Sequence, residues 1–420
     1  MATDAFPDFA RFIAAVGDAR HIDAAARPAA RFAGPDEFSA MQDHVLSLYE
    51  GVDVQHSFVD DSGQVFDCIP VEQQPSLRGA PSAIPPAPDA PGAATSGGSS
   101  HADLAIVSQL HPARSDRFGH SQACPPGTIA MRRVTLDELT RGETLQDLFQ
   151  KSPWGGRHPR LGAASAAGGA QPNLPAPGVH KWAHAYQNVA NLGGRSNLNM
   201  WAPAVGSQVF SLSQHWYAGG SPVQTAEIGW QVYPAKYHTT NPCLFIYWTA
   251  DGYKNTGNYN LDKAAFVQTS SAWALGGSVG PLSVYGGAQY SLEMCAYLYE
   301  GRWWLYVGGA ASSNAIGYYP ASQYGSGPLA THAADVDFGG EVVDNTLWPP
   351  MGSGHLANTG WQHAAYQRDV NYFGTGGGAS ACSLTPSQAS APCFTVAVFS
   401  GSSPWNEYFF FGGPGGSSCP

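Results

Sequence analysis

The chain has 420 residues, 43% hydrophobic and 12% charged, with a net charge of −11 at neutral pH. That length allows two or three domains with real cores, and an acidic balance without a basic patch excludes a nucleic-acid binder. No apolar run approaches the length of a membrane helix, so no membrane partner is expected.

The first stretch, "MATDAFPDFARFIAAVGDAR", has early acids and one short apolar segment and does not read as a signal peptide. Residues 36–50 place Phe38, Met41, Val45, Leu46 and Tyr49 at helical spacing. Residues 78–102, "RGAPSAIPPAPDAPGAATSGGSSHA", are a linker by composition. "VTLDELTRGETLQDLFQ" predicts a helix, with a capped start at Thr135 and an apolar set of Leu136, Leu139, Leu145, Leu148 and Phe149. A second linker runs over 161–178, which sets a smaller mixed α/β domain at 1–160 and a second domain at 179–420. Charge changes across that boundary. Residues 1–177 hold 20 Asp+Glu and 13 Lys+Arg, whereas 178–420 hold 11 and 7. The second part has few carboxylates to lose on acidification, so it suits work at low pH and the first part should loosen first.

From residue 180 onward nearly every segment reads as a strand between turn residues, including "SQVFSLSQHWYAGG", "VQTAEIGWQVYP", "CLFIYWTADG", "YSLEMCAYLYE" and "EYFFFGG". Glu300-Gly301 marks a tight hairpin. No fixed period recurs, which disfavours a propeller. The prediction is a mainly β domain, an antiparallel two-sheet β-sandwich.

Few motifs carry chemistry. Seven cysteines, at 68, 124, 243, 295, 382, 393 and 419, include no CxxC pair, and the odd count leaves a free thiol. "GGSVG" around Ser278 matches a nucleophile elbow, but Pro281 stands where a helix must begin. His180 and His184, like His332, His355 and His363, are weak metal ligands on a strand-rich background, and no metal or other cofactor is expected. Cys295, among apolar neighbours, reads as a buried thiol. Carboxylates remain. In "QTAEIGWQVYP" Glu227, Gly229 and Gln231 alternate with Ile228, Trp230 and Val232, so Glu227 faces either bulk water or a cleft. In "DVDFGGEVVDN" two glycines precede Glu341; they mark either a β-bulge or a place where another backbone comes close. Glu227 and Glu341 are a candidate catalytic pair.

These and further segments, "LFIYWTADGYKNTGNYNL", "WWLYVG", "FGGEVV", "MGSGH" and the ending "YFFFGGPGGSSCP", resemble the neprosin family of secreted glutamic endopeptidases that cut after proline. "DCIPVEQQPSLR" and "CPPGTIAMRRVTLDEL" resemble that family's pro-domain. The resemblance implies that Glu227 and Glu341 are the catalytic glutamates on a concave sheet face. It implies disulfides Cys68–Cys124 and Cys393–Cys419, a pro-domain that inhibits its own enzyme, a monomer and an extracellular location. Asn258 and Lys263 stand where plant members carry a cysteine pair, which implies a looser loop.

Such a pair hydrolyses an amide when one carboxyl is ionised and the other protonated, a split that proximity enforces. Glu227 is assigned here as the base and Glu341 as the acid, with the exchange left open. Gln214 and Gln231 are candidates to position water or oxyanion, and Trp230 and Tyr247 to form a proline pocket. Proline-containing peptides are the expected substrates. Pro175 and Pro177 are expected self-processing sites. The alternatives are a two-carboxylate glycosidase and an inactive or carbohydrate-binding homologue.

Overall fold

The structure is a computed structural model that describes residues 6–79, 83–93, 104–106, 109–151, 180–387, 390–417 and 419. Pro175, Pro177 and the linker 161–178 lie outside the described residues.

The N-terminal part opens with helices α1 (Phe9–Gly17), α2 (His21–Ala25) and α3 (Pro35–Leu48). The side chain of Asp8 caps α1 by accepting from the Arg11 N–H. Helix α3 buries Phe38, Met41 and Val45 of the predicted stripe together with Leu48, Tyr49 is buried just past its end, and Leu46 is only half-buried. Strands β1 (His56–Val59) and β2 (Val65–Pro70) form a hairpin, β3 (Leu104–Ala105) lies apart, and β4 (Thr128–Arg132) pairs with β2 to complete a three-stranded antiparallel sheet. The helix predicted from Thr135 is two short ones, α4 (Leu136–Leu139) and α5 (Leu145–Phe149). Gly142 separates them, and Thr144 and Asp147 close a capping box on α5.

From residue 180 strand follows strand: β5 (His180–Asn199), β6 (Phe210–Gly219), β7 (Gln224–Val232), β8 (Cys243–Thr249), β9 (Asn258–Tyr259) and β10 (Val267–Gln268). Then come β11 (Tyr290–Tyr299), β12 (Arg302–Val307), β13 (Ala315–Pro320), β14 (Ala333–Val343) and β15 (Ala365–Gly374). The last are β16 (Ala379–Ala381), β17 (Thr385–Pro386), β18 (Thr395–Ser400) and β19 (Glu407–Gly412). With β3 they make one sixteen-stranded sheet whose main path runs β10-β13-β12-β11-β5-β14-β6-β7-β8-β9.

The expected pair of separate sheets is therefore one curled sheet, because β5 serves both layers. Its first half pairs with β14, and its second half lies between β11 and β15. The changeover falls at Gly193 and Gly194. A Cβ at Gly193 would sit 2.0 Å from the Ala296 carbonyl oxygen, and one at Gly194 would sit 2.3 Å from that of Asn371. Only glycine lets strands close in on both edges there.

The main core lies between the layers. Ile228, Trp230 and Val232 of β7 and Val336, Phe338 and Val342 of β14 join Leu292 and Met294 of β11 and Trp303 and Leu305 of β12. The Tyr217 ring of β6 stacks on Trp303 at 6.0 Å. The opposite face of β5, β14, β6, β7 and β8 holds a second apolar set that includes Trp182, Leu212, Trp216, Phe245, Tyr247 and Tyr259.

Part of the compositional linker is seated on the sheet. Residues 83–93 lie over the outer face of β12 and β13, where Ala90 is buried and Ile84 and Ala87 pack against the Trp304, Tyr306 and Tyr318 set. Tyr306 donates to the Pro88 carbonyl at 2.9 Å, and the Ala90 N–H donates to the Ala310 carbonyl at 3.0 Å. Proline removes a donor from this segment but leaves its carbonyls to accept.

Candidate active site

Glu227 and Glu341 share the second, aromatic face. On β7, Glu227 lies opposite Trp216 of β6 and Tyr247 of β8. On β14, Glu341 lies opposite Trp182 of β5 and Leu212 of β6. Between them on β6 stands Gln214, flanked by Gly229 of β7 and Gly339 of β14. A Cβ at 229 would come 2.5 Å from that of Gln214, so the glycine makes room for the glutamine on the floor between the two acids.

One cation joins them. Lys151, which follows α5, sets its Nζ 2.5 Å from Glu227 Oε2 and 3.0 Å from Glu341 Oε2. The two carboxyl oxygens are thus no farther apart than those distances allow, across a gap that one ammonium fills. All three side chains are buried. The same ammonium lies 4.9 Å from the centre of the Trp216 ring, a cation–π contact.

The backbone of this segment is held as well. Tyr247 donates to the Phe149 carbonyl at 3.1 Å, and Tyr259 donates to the Lys151 carbonyl at 3.1 Å. The end of α5 and the two residues after it therefore lie in the cleft, with the Phe149 and Lys151 carbonyls accepting from the cleft's tyrosines.

Each glutamate has its own set of donors. Glu227 Oε1 accepts from Tyr253 at 2.7 Å and Thr225 at 2.8 Å, and Oε2 accepts from Gln214 Nε2 at 2.7 Å. Glu341 Oε1 lies 2.5 Å from His180 Nδ1. Burial alone would raise the Glu341 carboxyl, but the Lys151 ammonium and His180 outweigh it and hold the group down at about 2. Tyr253 is pushed well above the usual phenol range, first by burial and then by Glu227, so it remains a donor.

A built loop presents Tyr253. Asp251 accepts from the N–H groups of Lys254, Asn255 and Thr256 at 3.1, 2.8 and 3.2 Å. The Tyr253 N–H donates to Thr249 Oγ1 at 3.0 Å, and Tyr253 sits at φ +63°, a conformation that a bulky residue adopts only when its surroundings impose it.

Of the residues singled out in the sequence, Glu227, Glu341, Gln214 and Tyr247 meet here. Gln231 is on the same face but turns to the Tyr259 hydroxyl at 3.4 Å. Trp230 is a correction: it points away, into the main core, with Nε1 donating to the Asn199 carbonyl at 3.1 Å. Strand alternation requires this, since residue 230 lies an odd number of steps from 227. The disulfides Cys68–Cys124 and Cys393–Cys419 are formed, and Cys243, Cys295 and Cys382 are buried thiols. Ser278, of the elbow-like motif, contacts the Ser62 hydroxyl of the N-terminal hairpin. Lys151, His180, Thr225, Tyr253 and Tyr259 belong to the site without having been singled out for it. Thr225, Tyr253 and Tyr259 carried a signal: the first shares the alternation of Glu227, and the other two sit in the recognised "TADGYKNTGNYNL" segment.

The Neprosin family model matches residues 207–414. Among solved structures, one of scytalido-glutamic peptidase with a transition state analog inhibitor is similar at 8% identity and a TM-score of 0.33. The match covers 55% of this chain and 97% of that one. A second structure of the same peptidase, with a peptide-based transition state analog, matches at 9% identity and a TM-score of 0.33, covering 56% of this chain and 98% of that one.

Proposed function

The chain belongs to the neprosin family, and on that premise we propose that it is a glutamic endopeptidase, cutting after proline at acidic pH and made as a zymogen. The observation that carries the reading is the meeting of two buried glutamates from separate strands across one gap, filled by the ammonium of Lys151. A metal is not needed for the step. One ionised carboxylate takes a proton from water as the water oxygen bonds to the scissile carbonyl carbon. The other, protonated, hydrogen-bonds the carbonyl oxygen and passes its proton to it. On collapse the first carboxyl gives its proton to the leaving nitrogen as the C–N bond breaks. The second recovers a proton from the diol, and both glutamates return to their starting states.

Tyr247, Tyr253, Tyr259 and Trp216 wall the cleft with rigid aromatic faces, which suit a pyrrolidine ring. Residues 145–151 close it, which supports latency of the uncut chain. We place the pro-domain at 1–160, the linker at 161–178 and the enzyme at 179–420, with self-cleavage after Pro175 or Pro177 and an extracellular setting.

Digestion of a peptide library at acidic pH by wild type, Glu227→Gln and Glu341→Gln tests this. Cuts after proline by the wild type are expected, with at least about a thousandfold loss in each variant. An intact library with the wild type, or a variant as active as wild type, overturns it.

A further inference from the structure

His180 opens β5 and is the first described residue after 151. Its ring is buried, stacked on Trp182 with centroids 5.3 Å apart and an interplanar angle of 17°, and edge-on to Phe210 at 6.4 Å. The two rings fix the plane of the imidazole, so Nδ1 is aimed at Glu341 Oε1, 2.5 Å away. The other nitrogen, Nε2, is buried without a hydrogen-bond partner. A proton on Nε2 would be an unsatisfied buried donor, whereas a proton on Nδ1 has a carboxylate to go to. The arrangement therefore suits one tautomer, with Nδ1–H donating to an ionised Glu341.

Glu227 is surrounded differently. Its partners within the cleft face are neutral: the Tyr253 and Thr225 hydroxyls and the Gln214 amide. Gln214 Oε1 is buried without a partner. Turning that amide over would point Oε1 at Glu227 Oε2, where it would accept a proton carried by the glutamate. Glu227 is thus set to be satisfied in either state once Lys151 has left, whereas Glu341 is matched by His180 in one state only.

We propose that His180 is a positioning residue that keeps Glu341 ionised and oriented as the general base, leaving Glu227 as the acid. This rests on the peptidase reading above and settles the order of roles that the sequence leaves open. The low position of the Glu341 carboxyl, to which His180 contributes beside Lys151, agrees with it. The charged or titratable groups around Glu341 are Lys151, His180, Glu227 and Tyr253. Of these, Lys151 departs on activation in the reading above, so His180 becomes the nearest donor.

In the hydrolytic step Glu341 Oε2 takes the water proton while Oε1 stays bonded to Nδ1–H. Glu227 gives its proton to the carbonyl oxygen. Neither proton passes through His180, so it shifts the equilibrium and the geometry of the base and is not itself a catalytic residue.

The test is the pH profile of kcat/KM for the acid-activated protein, comparing wild type with His180→Ala and His180→Asn. Loss of the donor should move the acidic limb upward by about one pH unit, roughly a tenfold loss on that limb, with the alkaline limb in place. Asparagine puts an amide N–H near the position of Nδ1 and should restore most of the shift. An acidic limb that does not move, a uniform loss across pH, or His180→Asn as impaired as His180→Ala overturns the proposal. If His180→Ala does not fold, His180→Gln, whose longer side chain cannot place its amide at that position, takes its part. These outcomes presuppose a wild type that cleaves peptides. A wild type without proteolysis would instead refute the peptidase reading.

Discussion

Lys151 puts one buried positive charge against two buried carboxylates. Taking away one member of such a set leaves uncompensated charge and commonly costs about 3–5 kcal/mol. In Lys151→Met the glutamates would face each other without a cation, and one would take up a proton, since like charges at this range resist double ionisation. That is the state required for hydrolysis. The full-length, uncut variant is expected to hydrolyse a quenched peptide at least about tenfold faster than uncut wild type, with gel electrophoresis confirming that the chain is intact. Tyr253→Phe acts in the opposite direction. It deletes the 2.7 Å bond to Glu227 and leaves the ring, so kcat should fall about tenfold with KM little changed. Stopped assays at saturating and limiting peptide separate the two. The face of Glu227 was legible because its strand alternates, and the glycines before Glu341 marked a close approach. Trp230 was misplaced as a pocket wall although the same alternation excludes it. Lys151 had no signal: a lone lysine in "FQKSPW" looks like any solvated charge until the chain is folded around it.

The elements show how the cleft is kept stiff. Behind its floor, between the layers, His215 of β6 bonds Ser196 Oγ of β5 at 2.7 Å and the Tyr217 hydroxyl at 3.0 Å. No carboxylate among the described residues acts on it, and burial pushes its imidazole down to about 3. The ordinary value is 6.5, so the unfolded chain binds this proton more tightly than the fold does. The stability from a neutral His215 is complete above pH 6.5 and drains away as pH falls toward 3. By pH 4 the loss amounts to roughly 3 kcal/mol. His215→Gln cannot titrate, and urea midpoints at pH 7 and pH 4 should fall less for it than for wild type. The paucity of carboxylates in 178–420 suits acid, as the composition suggests, but this buried histidine works against it. Two other element-level expectations changed for local reasons. The predicted helix from Thr135 stops at Leu139, capped by Thr140, and a new one starts after Thr144, whose side chain accepts from the Asp147 N–H. The loop expected to be slack at Asn258 is tied instead by the bond from Trp248 Nε1 at 2.9 Å, with Asn258 buried. A polar side chain can thus take over from a cross-link, and periodicity does not register the change.

At the scale of the molecule, neither disulfide joins the part before residue 152 to the part after 179. A cut between them would leave the two held by packing and polar contacts alone, and these contacts respond to acid at different pH. Glu341, held at about 2 against an ordinary 4.5, favours docking in full above 4.5; that contribution shrinks only as pH falls below 4.5 and is gone below about 2. Asp262, depressed by Lys236 and Arg132 against the effect of burial, likewise weakens its contacts only once pH is below its ordinary 3.8. Opening at mildly acidic pH must therefore begin elsewhere. His44 of α3 packs against the Phe149 ring at 5.1 Å, with Nε2 buried and unpartnered. Burial lowers its imidazole; Asp262 pulls it up, and Lys263 and Lys236 push it down. Since its docked value lies below 6.5, the undocked state binds the proton more tightly, and docking weakens as pH falls below 6.5. Protonation there places a cation beside the segment that carries Lys151 into the cleft. His44→Leu keeps the packing and removes the titration. Its self-activation midpoint should move down by about half to one pH unit, and hydrogen exchange in residues 145–151 of the uncut chain should stay slow to correspondingly lower pH. Equal midpoints in wild type and variant would assign acid release to the carboxylates instead, whose contribution shrinks only below pH 4.5.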